Sequence, residues 1–209
     1  YDQTVESYRQ LIAMGYLNTS IYFNLGSAYY ETGQLGNALV YYLKAQAINP
    51  RDSAIQRQVW AIRAERVDFQ RDPVNWIDRI GDSTRGLFTL TELAGVSFLL
   101  WCMAFISGGI WLVFRQRNTR IVVVLVLAIT LVLNGLLFTR LYGEGQRPRA
   151  VITAPNVTVM SGPGDNYLPQ YTLYDAAELR IVETNGIWAR FVLPNGRQGW
   201  ITRNVFVIV

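Results

Sequence analysis

The residues that could carry out chemistry are few in this 209-residue chain, and they do not combine into a common catalytic site. The chain has no histidine, and Cys102 is its single cysteine. It therefore cannot form by itself a Ser-His-Asp triad, an imidazole metal site, a zinc–thiolate cluster or an internal disulfide. Nor does a nucleophile with a neighbouring base or a phosphate-binding glycine loop stand out. We expect no enzyme activity, metal or cofactor, so binding residues are the remaining candidates.

The charge and composition of the chain narrow the class of partner. Its formal net charge is +4, from 19 basic residues against 15 acidic ones. The arginines are scattered and do not form a stripe with aromatic residues between them, so a nucleic-acid partner is not expected. Apolar residues make up 51% of the chain and charged residues only 16%. This composition is unusual for a fully soluble protein and favours a membrane protein.

Two apolar runs, 93–114 and 121–141, are the strongest signal in the sequence. About 20 apolar residues in a helix span a bilayer core of roughly 30 Å. Neither run shows the polar stripe of a helix buried in a soluble core, which is the alternative interpretation. Both runs lie mid-chain, so neither is a cleavable signal peptide. The sequence predicts a transmembrane hairpin with helices at 87–114 and 121–142.

A two-helix hairpin would place the segments before and after it on the same side of the membrane. The short turn carries Arg115, Arg117 and Arg120 with no acid, which favours a cytoplasmic turn, although arginines beyond the other ends of the helices weaken this bias. Ahead of the first helix, residues 71–86 are expected to form a linker. Its apolar part follows the Asp72-Pro73 break and is expected to rest on the lipid headgroups.

Three residues are candidates for packing within the hairpin. Gly108 and Gly109 would let the first helix approach the second, or a neighbouring protein, closely; alternatively they are helix irregularities without a partner. Asn134 is the one strongly polar residue deep in the second run. We expect its side chain to hydrogen-bond across to the first helix, near Ser97 or Ser107.

Residues 1–70 contain the spacing of a tetratricopeptide repeat, whose period is about 34 residues. Gly26 would let two antiparallel helices approach, and Pro50 would end the second helix. Helices are predicted at 20–32 and 35–48, with the second helix of a preceding repeat at 2–14 and an amphipathic cap at 53–67. The anchor residues are Tyr22, Leu25, Gly26, Tyr29, Ala38, Tyr42, Ala45 and Pro50.

A single repeat cannot bury its own faces, so it needs neighbours on both sides. The first helix of the preceding repeat is missing from the sequence, which begins at Tyr1 and not at a methionine. We therefore expect the natural chain to start earlier, with one more helix and a signal sequence.

The inner face of the repeat's first helix is the predicted protein-binding groove. A mode in which lysine and asparagine hold a peptide's terminal carboxylate is disfavoured, because only Asn24 fits and Glu31 has the wrong sign. For most of the aromatic residues, packing between helices is the favoured alternative. The groove candidates are Ser20, Phe23, Asn24, Ser27, Tyr30 and Glu31.

Residues 149–209 consist of short β-branched runs separated by Gly, Pro, Asn and Asp, which is typical of an all-β module. Five strands are predicted: 157–160, 170–174, 178–183, 187–191 and 196–201. The order of Asn156-Val-Thr-Val-Met-Ser-Gly-Pro-Gly164, Gly186-Ile-Trp188 and Gly199-Trp200-Ile201 resembles the bacterial SH3 domain. The resemblance implies a small extracytoplasmic barrel whose relatives bind peptidoglycan stems or protein segments.

The candidate ligand surface of this barrel consists of aromatic residues. Tyr167, Trp188 and Trp200 are its expected members. For the two tryptophans, packing in the core or in hairpins is the favoured alternative.

The fold class expected for the whole chain is a multi-domain membrane protein. It combines an all-α tetratricopeptide-type segment, a two-helix transmembrane hairpin and a small all-β bacterial SH3-like barrel. In that order, these parts resemble the BatE type of the Bat aerotolerance proteins. The resemblance implies a non-catalytic component that acts with von Willebrand A-type Bat membrane proteins and a MoxR-type ATPase. It also implies a two-pass protein of the bacterial cytoplasmic membrane, with both termini and the soluble domains outside the cytoplasm.

Three functions remain open at this point. The first is a membrane-anchored scaffold or assembly subunit that binds proteins through the tetratricopeptide groove. The second is a cell-wall anchor whose barrel binds peptidoglycan. The third is an accessory subunit of a larger respiratory or photosynthetic membrane complex.

Overall fold

The computed structural model describes residues 2–66, 90–114, 117–146 and 148–209. The linker expected at 71–86 lies outside these ranges. Contacts divide the chain into two units. The first, called the head here, joins Tyr1–Arg79 to Arg147–Val209, and the second, called the helix pair, is Ile80–Gln146.

The head begins with four helices joined by short turns. Asn18 accepts a hydrogen bond from the backbone N–H of Ile21 and thereby caps the second helix, and Asp52 accepts from Ala54 and Ile55 and caps the fourth. Gly33, at φ +74°, provides the left-handed residue after the second helix. The helices are α1 Asp2–Ala13, α2 Thr19–Glu31, α3 Leu35–Ile48 and α4 Ser53–Glu65, each within two residues of its prediction.

The pairing of α2 and α3 depends on a glycine facing a tyrosine. A Cβ atom at Gly26 would lie only 2.9 Å from the ring of Tyr42, so a larger residue there would push the helices apart. Tyr42 itself is fully buried, as are Leu25 and Leu39 beside it. Burial of such side chains stabilises the fold by about 1.5–3 kcal/mol each.

The sheet domain, residues 148–209, is one antiparallel sheet in the order β3-β2-β6-β5-β4-β1-β7. The five predicted strands are present, with two further short strands at the ends of the domain. The first of these, β1, pairs with both β4 and β7. The strands are β1 Arg149–Ile152, β2 Asn156–Met160, β3 Pro169–Tyr174, β4 Glu178–Asn185, β5 Trp188–Val192, β6 Gln198–Thr202 and β7 Phe206–Ile208.

The helices and the sheet domain share a hydrophobic core. Val151 of β1 and Ala176 of the β3–β4 turn are fully buried in the cluster that holds Leu39, Val40 and Ile62 of the helices. The sheet domain has a second core of its own, centred on buried side chains such as Phe191. The head is therefore one folded body built from two distant stretches of sequence.

The helix pair consists of α5, Leu90–Phe114, and α6, Arg117–Gln146, which pack against each other. Among the described residues, one stretch, Glu92–Val113, is long and apolar enough to cross a membrane. The apolar stretch found on α6, Arg120–Gly135, is shorter. The second span expected at 121–142 therefore stays a prediction.

Candidate protein-interaction surfaces

The inner face expected on α2 is only partly free. Phe23 and Ser27 contact Tyr42 of α3: the two ring centroids are 5.4 Å apart, and the hydroxyl oxygens of Ser27 and Tyr42 are 3.0 Å apart. These two candidates therefore help to join α2 to α3. The exposed candidates lie on one stripe of α2 and are Ser20, Asn24 and Glu31.

Tyr30, the remaining groove candidate, connects α2 to α4. Its hydroxyl donates to Glu65 Oε2 at 3.1 Å, and this hydrogen bond raises the pKa of Tyr30 above its ordinary value. The groove thus has a second wall on α4, which the sequence reasoning missed. The repeat spacing could have indicated this wall, because Glu65 follows Glu31, the neighbour of Tyr30, by 34 residues, which is one repeat period.

The other aromatic residues of the repeat lie between helices. The rings of Tyr29 and Tyr41 are stacked, with centroids 5.5 Å apart and planes at 8°. Tyr22 stacks on the same Tyr41 ring at 6.2 Å, and the Lys44 ammonium lies 5.3 Å from its centroid. These rings therefore serve helix packing and are not part of the groove.

An ion pair joins α4 to the sheet domain. Arg63 binds Glu178 in a bidentate manner, Nε to Oε1 at 2.7 Å and Nη2 to Oε2 at 2.8 Å, and Arg66 Nη1 lies 3.4 Å from Oε1. Burial alone would raise the pKa of Glu178, but Arg63, Arg66 and Arg149 lower it below its ordinary value. Nothing in the sequence pairs these residues, which are 112 and 115 positions apart.

A second contact lies three residues earlier in the β3–β4 turn. The Asp175 carboxylate accepts hydrogen bonds from the backbone N–H groups of Leu35 and Gly36, the first two residues of α3. Gln34, the residue that precedes α3, makes no side-chain capping bond, so Asp175 supplies the cap from another domain. Burial nevertheless raises the pKa of Asp175 above its ordinary value. A Cβ at Gly36 would collide with this carboxylate.

The aromatic candidates of the sheet domain do not lie in its core. Trp188 and Trp200 are half-buried, on the face opposite to the buried Ala189 and Ile201 that alternate with them. Arg190 lies directly across from Trp200 and pairs with Glu183 at 3.0 Å. The two tryptophans therefore share an outer face, and core packing is excluded as their role.

Tyr167 lies in the β2–β3 loop, whereas the two tryptophans lie on strands β5 and β6. It is 50% exposed, and its ring covers the backbone of Gly162. A side chain at Gly162 would collide with that ring, so the loop conformation and the Tyr167 position depend on each other.

The packing candidates of the helix pair are placed differently from expectation. A Cβ at Gly108 or Gly109 would meet no atom of the described residues within 4 Å, so the two glycines do not lie at a close contact between α5 and α6. Contact with a neighbouring protein and a helix irregularity without a partner stay open for them. The Asn134 amide donates to the Thr130 carbonyl oxygen at 2.8 Å, one turn earlier on α6, and not to Ser97 or Ser107. The side-chain N–H of Asn134 is thus satisfied by a backbone carbonyl oxygen of its own helix.

The described ranges contain no group of three or more His, Cys, Asp or Glu residues that could hold a metal ion. Cys102 is a free, half-buried thiol on α5.

Comparison with known proteins identifies one part of the chain. The family profile of the tetratricopeptide repeat matches residues 20–52. This segment comprises α2 and α3 with the turn that leads to α4, and such repeats are protein-interaction modules. No curated protein matches the chain. A solved NlpC/P60 family protein from Bacillus cereus is similar over 32% of this chain and 22% of its own, with 19% identity and a TM-score of 0.26.

Proposed function

We propose that the protein is a non-catalytic, membrane-anchored scaffold of the BatE type, which binds other membrane proteins through its helical groove and its sheet domain. The tetratricopeptide repeat at residues 20–52 supports the protein-binding part of this proposal. The expected partners are von Willebrand A-type Bat proteins and a MoxR-type ATPase.

The burial pattern of the helix pair supports membrane anchoring. Its buried polar residues are Ser97 and Thr130, whereas large apolar side chains face outward. In water, this exposure would be unfavourable by about 25 cal/mol per Å² of apolar surface, but lipid tails remove that cost. The outward-facing residues include Phe98, Leu99, Phe105, Ile106, Leu112 and Val113.

The observation that carries the two-pass topology is the construction of the head. Residues 2–66 and 148–209 share a core, so they must be on the same side of any membrane. The chain between them must then cross an even number of times. A crossing by Glu92–Val113 therefore requires a second crossing, and α6, the helix that follows, is the candidate for it.

A labelling experiment tests this topology. In a Cys102→Ser background, single cysteines at the exposed positions Gln10 and Thr184 are treated with a membrane-impermeant maleimide, first in intact spheroplasts and then after lysis. We expect both to be labelled in intact spheroplasts. Labelling of only one of the two before lysis would contradict an even number of crossings. Protection of both until lysis would place the head in the cytoplasm.

A native purification tests the scaffold function. The full chain is extracted in mild detergent, and co-purifying proteins are identified by mass spectrometry. Recovery of von Willebrand A-type proteins and a MoxR-type ATPase is expected, with at least tenfold less recovery for an Asn24→Ala/Glu31→Ala variant. Gln10→Ala, on α1, is the matched control. Stoichiometric recovery of a respiratory or photosynthetic core would favour the accessory-subunit function instead.

The outer face of the sheet domain favours a second candidate function, the binding of peptidoglycan. Half-exposed tryptophans on one face are suited to stacking against sugar rings or holding an extended stem peptide. Sedimentation of the detergent-solubilised chain with purified cell wall tests this function. Trp188→Ala and Trp200→Ala should each reduce the bound fraction several-fold, whereas Trp60→Ala on α4 should not. Equal sedimentation of all variants would exclude this face as the wall-binding site.

A further inference from the structure

The sheet domain contains a small cavity beside the turn that joins β4 to β5. Its volume is about 450 Å³, and its lining is apolar. Ligand pockets in proteins have volumes of roughly 300–1,000 Å³, so this cavity suits a small group and not a helix or a folded domain. The lining residues are Gly186, Ile187, Thr202, Arg203 and Asn204.

Backbone contacts hold the walls of this cavity in place. Gly186 has φ +59°, the left-handed conformation that the tight β4–β5 turn requires. The backbone N–H of Arg203 donates to the carbonyl oxygen of Ile187 at 2.8 Å and joins this turn to the short 3₁₀ segment that follows β6. At the end of that segment, the Val205 carbonyl oxygen accepts from the Thr153 N–H at 3.0 Å. A ligand therefore meets walls that are already fixed, which lowers the entropic cost of binding.

The side chains at the cavity combine an apolar surface with one positive charge. Ile187 is 70% exposed at the tip of the turn. Arg203 and Asn204 are exposed, and within the described ranges neither side chain forms a hydrogen bond or an ion pair. The lining contains no Asp or Glu, and the acid nearest in sequence, Glu183, forms an ion pair within the sheet. The cavity is thus complementary to a ligand that has an apolar body and a carboxylate.

We propose that this cavity binds the C-terminal residue of a partner protein. An apolar last side chain packs against Ile187, the terminal carboxylate pairs with Arg203, and the Asn204 amide donates a second hydrogen bond. A chain terminus carries a carboxylate and a side chain on the same residue, which is the combination that the cavity fits. A cell-wall stem peptide ends in alanine, whose single methyl group makes little contact with the apolar lining. The inference rests on the proposed protein-binding function of the sheet domain.

Fluorescence anisotropy of the full chain in detergent tests the cavity. The probe is an N-terminally rhodamine-labelled peptide, Gly-Gly-Ser-Leu, with either a free C-terminal carboxylate or a C-terminal amide. We expect the acid to bind at least about fivefold more tightly than the amide, because only the acid pairs with Arg203. Arg203→Gln should weaken binding of the acid by about fivefold and change binding of the amide by less than about twofold. Equal affinities of acid and amide for the wild type would overturn the proposal.

Two further variants separate the cavity from the charge of the whole domain. Arg197→Gln removes a positive charge from an exposed arginine that does not line the cavity, and it should change binding of the acid by less than about twofold. Ile187→Ser should weaken binding of the acid and the amide alike, by about fivefold, because it removes apolar contact and leaves Arg203 in place. A loss in Arg197→Gln as large as that in Arg203→Gln would overturn the assigned site.

A second peptide tests the kind of partner. Tighter binding of a stem peptide that ends in D-alanine than of the leucine-ended peptide would overturn the protein partner and assign the cavity to the cell wall. Weaker binding of the stem peptide supports the proposal. The peptide assay uses no native partner, so its failure is distinguishable from failure of the scaffold function, which the native purification tests.

Discussion

α2 and α4 begin 34 residues apart, which is one tetratricopeptide period, but they have different surroundings. Both begin after a side-chain cap and bury Leu25 or its counterpart Val59, yet α2 lies between helices, whereas α4 has a helix on one side and a sheet domain on the other. Two positions 34 residues apart carry different residues in the two helices: Trp60 of α4 corresponds to Gly26 of α2, and Arg63 of α4 corresponds to Tyr29 of α2. A repeat position specifies a helix, but the residues on its outer side determine what packs there.

The largest expected effect comes from introducing the same side chain at the two equivalent positions. Gly26→Leu forces bulk against the buried Tyr42 ring and should destabilise the head by about 3 kcal/mol. Trp60→Leu changes a side chain that is 64% exposed and should cost less than about 1 kcal/mol. Urea unfolding in detergent, followed by circular dichroism, measures both. Equal losses would contradict the assigned difference between α2 and α4.

The next largest effect tests the sheet-domain side of α4. Glu178→Gln removes the negative charge that Arg63 and Arg66 contact, and we expect a loss of about 2 kcal/mol, below that of a fully buried pair because the Glu178 side chain is 22% exposed. Glu183→Gln removes the exposed pair with Arg190 and should cost about 0.5 kcal/mol or less. The same unfolding measurement compares them, and similar values would show that the α4 contact is an ordinary surface pair.

The contact of α4 also predicts an acid dependence that α2 lacks. The pKa of Glu178 is lowered in the folded head by Arg63, Arg66 and Arg149, which outweigh the effect of burial. Its stabilising contribution is therefore complete above about pH 4.5, the ordinary value, and is lost as the pH falls through the lower folded value.

Unfolding free energies measured between pH 7 and pH 3 test this dependence. Below pH 4.5, the wild type should lose more stability than Glu178→Gln, so the difference between them should shrink. The pKa of Asp175 is raised in the folded head, so its contribution to stability changes with pH in the opposite direction. The Glu178→Gln substitution leaves that contribution unchanged. A difference that stays constant across the range would refute the assigned titration of Glu178.

The smallest effect is expected where the two helices are alike. Asn18→Ala and Asp52→Ala each remove a side-chain cap from the N-terminus of a helix and should each destabilise the head by about 1 kcal/mol. Hydrogen exchange of the first turn of each helix should increase locally. A clear difference between the destabilisation caused by Asn18→Ala and that caused by Asp52→Ala would show that the sheet-domain contact also affects the start of α4.

Local patterns in the sequence predicted most of the elements. The repeat anchors, Gly26 and Pro50 among them, identify the repeat helices within two residues because each acts on its own turn of the chain. Short β-branched runs bounded by turn residues predicted the central strands for the same reason. The short strands β1 and β7 were missed, because three or four residues form a strand only when a distant partner is supplied.

The candidate surfaces were predicted less completely. Asn24 and Glu31 are exposed as expected, but Phe23 and Ser27 are engaged with Tyr42, because a helix stripe read from sequence does not say how far a neighbouring helix extends over it. Gly108 and Gly109 do not form the close contact within the hairpin that was one of the alternatives for them, and the reason is related. Small residues permit close contact, but they do not fix the rotation of one helix about another.

The repeat, the apolar helices and the β-rich character of residues 149–209 can be predicted from the amino-acid sequence, because they depend on periodicity and on turn residues that act over a few positions. The packing of the sheet domain on α3 and α4 is visible only in the folded head. This packing depends on Asp175, Ala176 and Glu178, which meet their partners more than 100 residues away. Contacts of this kind are specified by the geometry of the whole head, so no local pattern reports them.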